Sequence, residues 1–193
     1  NKYSSSLGAA SYKLTYKSTT GRGVYSFCMC PGGYVVNSSS EPGKLCINGM
    51  SNYARNTLNA NSALIVTISP KDFGLNPLDG VKFQQALETK AYLLGNGLIP
   101  TQTFKDYLEN VSTTKFGHIN PITKGNYTLT NLNSLFPDYI NISLKEAIQH
   151  FDKIIPGYAD PDAIIQAVES RTSSPLRIPR NSQGESSISG LYP

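Results

Sequence analysis

Residues 22–50 read RGVYSFCMCPGGYVVNSSSEPGKLCINGM and contain all three cysteines of the 193-residue chain. Tyr25, Phe27, Tyr34 and Val36 are aromatic or β-branched residues in two short runs. Pro31-Gly32-Gly33 between them is turn chemistry, so the stretch predicts a β-hairpin. Cys28 and Cys30 then end its first strand. Side chains two apart on a strand share a face, which would aim both thiols the same way and turn Met29 to the other side.

Such a thiol pair is redox-active, metal-binding or simply buried. Two cysteines on one strand sit near or beyond the limit of disulfide geometry. A structural zinc site needs four ligands in paired spacings, and a CxC with a distant Cys46 leaves that set short, so no metal ligand is assigned. Buried free cysteine is the plain alternative.

Outward from this stretch, Tyr12, Leu14 and Tyr16 alternate with Lys13 and Thr15, the pattern of a half-buried strand. Lys44 to Ile47 reads as another strand, ended by the turn pair Asn48-Gly49. Residues 51–62, SNYARNTLNANS, are mostly amides and hydroxyls, suited to local turns or to polar ligand atoms. Ala63 to Ile68, ALIVTI, is a continuous apolar run and predicts a central strand buried on both sides.

Helical spacing then takes over. Phe83, Leu87, Ala91 and Leu94 recur on one face, with Asp79 as the expected cap and Gly95 as the expected stop. Phe104, Tyr107, Leu108 and Val111 predict a shorter helix. Residues 113–133 read as a polar excursion in which His118 has no ligand partner in sequence and is expected to be structural or exposed. Ser143 to Glu146 resembles a capping box ahead of Leu144, Ala147, Ile148 and Phe151. Asp160-Pro161 is expected to open a last helix with Ile164, Ile165 and Val168 inward. The fold class expected is therefore α+β, with a mixed or antiparallel sheet and several helices.

Composition narrows the function. A net charge of +4 with 16% charged residues and no basic run gives nothing that could track a phosphate backbone, so nucleic acid is not an expected partner. No apolar stretch reaches the roughly 20 residues that span a bilayer, so no membrane partner is expected. An odd cysteine count in a CxC pattern points to a reducing, cytoplasmic setting.

The run GVYSFCMCPGGYVVNSSSEPGKLCINGMSNYARNTLNANSALIVT at 23–67 resembles the uncharacterised FAD-dependent dehydrogenases, a bacterial family of NAD(P)/FAD-dependent oxidoreductases. PDAIIQAVESRTSSPLRI at 161–178, followed by GLYP at 190–193, continues the likeness, which covers most of residues 8–193. The resemblance implies a parent that uses FAD and possibly NAD(P). It implies that residues 1–180 are a substrate-binding or cap domain inserted into a Rossmann-type FAD-binding fold, with 181–193 a connector back to it. A G-x-G-x-x-G fingerprint is missing, because Gly21-Arg22-Gly23 lacks the third glycine and precedes a strand. The chain is accordingly expected to be a fragment that binds no cofactor itself and pairs with the FAD-binding domain of the same parent, which acts on a small molecule.

In that setting Cys28 and Cys30 are the candidate catalytic or redox residues. Ser39, Asn59 and Asn61 are candidate substrate contacts, and Arg171, Thr172, Ser173 and Ser174 would approach the cofactor. Hydride chemistry would belong to the flavin, leaving orientation and exclusion of water to the protein. A participating thiol should be accessible with a lowered pKa. The competing reading is a non-catalytic protein-interaction domain in which the CxC hairpin is only core.

Overall fold

The computed structural model describes residues 12–171 and 177–193. In chain order the strands are β1 Leu14–Lys17, β2 Gly23–Cys30, β3 Gly33–Asn37, β4 Ile47–Ser51 and β5 Asn61–Val66, then β6 Ile99–Thr103, β7 Thr123–Lys124, β8 Tyr127–Leu129 and β9 Ile164–Gln166. The helices are α1 Pro70–Phe73, α2 Asp79–Leu94, α3 Phe104–Glu109 and α4 Asp138–Asp152. The strands form three three-stranded sheets, ordered β1-β2-β5, β4-β3-β7 and β8-β6-β9. Parallel and antiparallel pairs both occur. This is the expected α+β class.

The expected hairpin does not form. β2 and β3 flank Pro31-Gly32 but lie in different sheets. The reason is that residues 55–59 take the bonding groups a hairpin would use. Gly33 N donates to Asn59 O at 2.8 Å, and Thr57 Oγ1 donates to Gly33 O at 2.8 Å. Gly32, at φ +60, lies with its Cα hard against the Arg55 carbonyl, where a Cβ would collide with backbone.

Nor do the two thiols share a face. Val24 and Ser26 are buried, so alternation would bury Cys28 next. The β2–β5 register instead shifts between Phe27 and Cys30, and Cys28 adopts φ 51. This bulge turns Cys28 outward and packs Met29 against the cluster of Leu14, Val24, Ala147 and Phe151.

Several other expectations are corrected. Among the described residues β5 pairs only with β2 and stands at the edge of its sheet, so the ALIVTI run is not central there; α4 packs against it. Asn48 and Gly49 lie inside β4 rather than in a turn. Asp79 is the first residue of α2, with Leu78 at the cap position. Its carboxylate accepts from Asn76 N and Nδ2 at 3.0 and 2.9 Å, closing the turn before the helix.

The capping box at Ser143 is likewise not a helix start. α4 begins after Pro137, and Ser143 is buried mid-helix, where its Oγ donates to Tyr139 O at 2.6 Å and meets Ser18 Oγ. Glu146 instead accepts from Thr19 N at 2.8 Å. After Asp160-Pro161 there is a turn and then β9, not a helix, because Thr103 and Gln102 of β6 supply a strand partner. The 113–133 excursion carries β7 and β8.

Packing centres on α4 and β6. Ile148 joins one apolar cluster with Leu45, Ile99, Phe104 and Leu132, while Ala147 and Phe151, one turn apart, join the other, so two faces of one helix meet two clusters. β6 is buried along its whole length despite reading IPTQT. Its Gln102 is satisfied internally, donating to Val111 O at 2.6 Å and accepting from Leu132 N at 2.8 Å.

Candidate functional site

The Cys28 end of β2 is built by three segments. Cys30 pairs across to Asn61, and the Asn61 side chain wedges between Gly33 and Gly49. Its Nδ2 donates to Tyr34 O at 3.2 Å and Met50 O at 3.3 Å, while its buried Oδ1 has no partner among the described residues. Asn59 Nδ2 donates to Asn120 O at 2.7 Å, tying the loop to the 113–122 excursion. On this loop Tyr53 and Leu58 project almost fully into solvent.

The remaining candidates sit elsewhere. Ser39 follows the far end of β3, where its Oγ accepts from Cys46 N at 3.1 Å. Arg171 lies on that side too, donating to Glu88, to Ser40 Oγ at 2.8 Å and to Glu41 at 3.2 Å. The structure thus brings Cys28, Cys30, Asn59 and Asn61 together and separates Ser39 and Arg171 from them. Thr172, Ser173 and Ser174 lie outside the described residues.

The thiols are all free. Cys28 is exposed, Cys30 half-buried and Cys46 buried. Cys28 is accessible as expected, but its thiol is pushed up rather than down. Partial shielding of the sulfur is the first cause, followed by the charges of Cys30 and Glu169. Cys28 is therefore a thiol at rest. Glu169 is half-buried, and that burial raises its carboxyl above the ordinary value.

Sequence reasoning passed over Glu88 and Glu169, and it did not see the partners of His118. Glu88 falls in the α2 pattern as a surface-type residue, yet it is buried against Arg171 and Ser170. Glu169 carried no motif. His118 meets two carboxylates from the distant 160–162 turn, with Nδ1 2.6 Å from Asp162 Oδ2 and Nε2 3.4 Å from Asp160 Oδ2. These three offer ligand atoms within 4.8 Å of one another. Each ring nitrogen, however, faces its own carboxylate, and His118 N also donates to Asp162 at 2.8 Å. The arrangement clamps the 117–118 backbone onto the 160–162 turn.

The FAD implied by the resemblance carries a pyrophosphate that the donors present would have to hold. A dinucleotide pyrophosphate needs a glycine-rich turn feeding a helix N-terminus. Among the described residues each α-helix has an aspartate in its first turn, Asp72, Asp79, Asp106 and Asp138. Negative charge there opposes a phosphate. Arg171, the expected cationic contact, already serves Glu88 and Glu41. The described residues do not fit a pyrophosphate cradle. Among them, too, no helix is long and apolar enough to cross a membrane.

Comparison with known proteins adds two findings. A family model described as FAD-dependent protein, C-terminal domain-like, matches residues 1–172. An uncharacterized protein of Clostridium beijerinckii is 50% identical over 192 residues, which is 97% of this chain and 36% of that protein. The chain spans about a third of the length of this curated relative.

Proposed function

The chain belongs to the FAD-dependent protein, C-terminal domain-like family, and from that premise we propose that it is the substrate-binding cap domain of an FAD-dependent oxidoreductase. The parent is a cytoplasmic dehydrogenase, with the flavin, and NAD(P) where used, gripped by a Rossmann-type domain outside these residues. Residues 1–180 form the inserted cap and 181–193 the connector. In support, apart from the bond from Arg180 Nη1 to Pro193 O, the hydrogen bonds described for residues 181–193 run within that segment, such as Glu185 N to Asn181 Oδ1 at 3.0 Å.

The observation that carries this reading is the grouping of an exposed Cys28 with the glycine turn and the amide-rich 51–61 loop at one end of β2. A cap needs such a face, with reactive and hydrogen-bonding groups presented together and apolar side chains left uncovered. Tyr53 and Leu58 supply the uncovered apolar surface. Cys28 and Cys30 are the groups we assign to the chemistry, with Asn59 and Asn61 at the substrate. Ser39 is assigned to the substrate from the far end of β3. Arg171, Thr172, Ser173 and Ser174 are assigned to the cofactor. Burial of both CxC thiols would favour the interaction-module reading, and Cys28 is exposed.

The test is a structure of the longer protein with FAD bound, measuring the distance from each sulfur to the isoalloxazine ring. Cys28 Sγ within van der Waals reach of the ring or of bound substrate is expected. Both sulfurs facing away from the flavin, together with full activity of Cys28→Ser and Cys30→Ser, would sink the assignment.

A further inference from the structure

The 160–162 turn and residues 117–118 meet at the His118 ring, and each is pinned from behind. Lys105 N donates to Pro161 O at 2.9 Å and Phe104 N to Ala163 O at 2.8 Å, which seats the turn on the start of α3. Val35 N donates to Ile122 O at 3.0 Å and Asn59 Nδ2 to Asn120 O at 2.7 Å, which hold the chain just after His118. Gly117 permits the close approach, because a Cβ there would collide with the Asp162 carboxylate. Two carboxylates are thus delivered to one imidazole on fixed backbone.

The two contacts differ in kind. Nδ1 lies 2.6 Å from Asp162 Oδ2, a short charge-assisted hydrogen bond, and the same oxygen accepts from His118 N at 2.8 Å. That partner places the ring proton on Nδ1 and fixes the plane of the ring. Nε2 lies 3.4 Å from Asp160 Oδ2, beyond the roughly 2.7–2.9 Å of such a bond. Asp160 Oδ1 accepts from Asp162 N at 2.8 Å, so Oδ2 is the oxygen left to face the ring. Two bonds of about 2.0–2.2 Å from one zinc ion, meeting near the tetrahedral angle, put a nitrogen and an oxygen about 3.4 Å apart. The Asp162 contact would need an angle below about 80° at the ion, far narrower than tetrahedral zinc takes.

We infer that His118 Nε2 and Asp160 Oδ2 are the protein ligands of a divalent cation of the zinc type, with Asp162 as the carboxylate that orients the ring. A ligating histidine ordinarily gives its other N–H to a carboxylate, and the His118–Asp162 pair has that form. An imidazole nitrogen beside a carboxylate suits zinc, cobalt or nickel better than magnesium or calcium, which take oxygen alone. His118 is exposed, so water completes the coordination. The ion would join the 113–122 excursion to the 160–162 turn. The site draws on neither the cysteines nor a flavin, so it stands or falls apart from the cap reading. A proton on Nε2 is the competing occupant of the gap.

The test is a zinc chloride titration of the native chain at about pH 7.5, above the ordinary histidine value, read by long-range proton–nitrogen NMR of the imidazole rings. The chain has two histidines, and His150, stacked on Tyr16, serves as the internal control. Zinc is expected to shift His118 Nε2 saturably, to leave the proton on Nδ1 and to leave His150 in place. Magnesium chloride at the same concentration is expected to move neither ring. Asp162→Asn should lower the zinc affinity at His118 roughly 10–100-fold, and Asp160→Asn at least as much, with circular dichroism unchanged. His118 signals that stay still, that follow His150, or that respond equally to magnesium overturn the inference, as does unchanged affinity in either variant. Zinc taken up by the thiols alone would leave the His118 signals still and so counts against the site. Should a variant lose its fold, the wild-type contrast between zinc and magnesium decides.

Discussion

Arg171 forks onto Glu88, its Nε 2.9 Å from Oε1 and its Nη2 2.8 Å from Oε2. The Glu88 side chain is 1% exposed and also accepts from Ser170 Oγ. Through the same guanidinium the segment after β9 is tied to Ser40 and Glu41, so one arginine joins α2, the 38–46 loop and residues 168–171. The Arg171 hydrogen bonds hold the Glu88 carboxyl below the ordinary range against the opposing effect of burial.

Removing Glu88 should therefore be among the costlier single changes. Glu88→Ala strands Arg171 and opens a space, with an expected loss of about 3–5 kcal/mol in urea unfolding. Glu88→Gln keeps some hydrogen bonds and should lose less. Because the folded carboxyl is lowered, its contribution is complete above about pH 4 to 5 and fades as pH falls through the lowered value. The gap between wild type and Glu88→Gln should accordingly narrow toward acid. A gap constant with pH would place the stabilisation in packing instead.

A second ion pair predicts acid sensitivity at α1. Arg22 donates from Nη1 and Nη2 to Asp72 at 2.6 and 2.5 Å, and Asp72 accepts from Ser69 N at 2.7 Å, capping α1. The Arg22 hydrogen bond is the main reason that the Asp72 carboxyl sits well below its usual range. Asp72→Asn should cost about 2 kcal/mol at neutral pH, the worth of hydrogen bonds to a charged group. That cost should shrink as pH drops below about 4, the unfolded aspartate value, because the folded pKa is the lower one. Thermal melts of both proteins from neutral to acid pH read it directly.

What the sequence made legible was local. The helix over Phe83 to Leu94, the strand through Leu14 and the short helix of Phe104 and Tyr107 follow from spacing, and the α+β class follows with them. Pairing was not legible at Pro31-Gly32-Gly33, since the turn's bonding groups go to Thr57 and Asn59, distant in sequence. The bulge at Cys28 likewise depends on how Ala63 and Asn61 meet β2. Among candidate site residues, motif likeness picked out Cys28 and Asn61, which share one end of β2. It could not find Glu88, whose importance lies in which neighbours the chain brings to it.

The Asn61 wedge can be measured as a coupling. An added Cβ at Gly49 would collide with Asn61 Oδ1. Gly49→Ala should destabilise by about 1–3 kcal/mol through overpacking. Asn61→Ala alone removes two donations to backbone carbonyls and should also destabilise. The double variant should be less unstable than the sum of the two, because the alanine at 61 makes room for the one at 49. Strict additivity in chemical denaturation would mean that the two residues do not compete for the same space.

Free FAD should leave this chain's melting temperature unchanged. A ligand present at 100 times its dissociation constant adds about 2.7 kcal/mol to the folded state, a shift no melt would miss. Here each α-helix among the described residues opens with an aspartate, and Arg171 is committed to Glu88 and Glu41. A pyrophosphate would meet repulsion at each of these helix ends rather than open amide groups. Flavin fluorescence should likewise stay at its free value when the chain is added. If instead the melting temperature rose with FAD and the fluorescence fell in step, the chain would hold a nucleotide by a route independent of helix termini, and the division between cap and flavin-gripping domain would have to be redrawn.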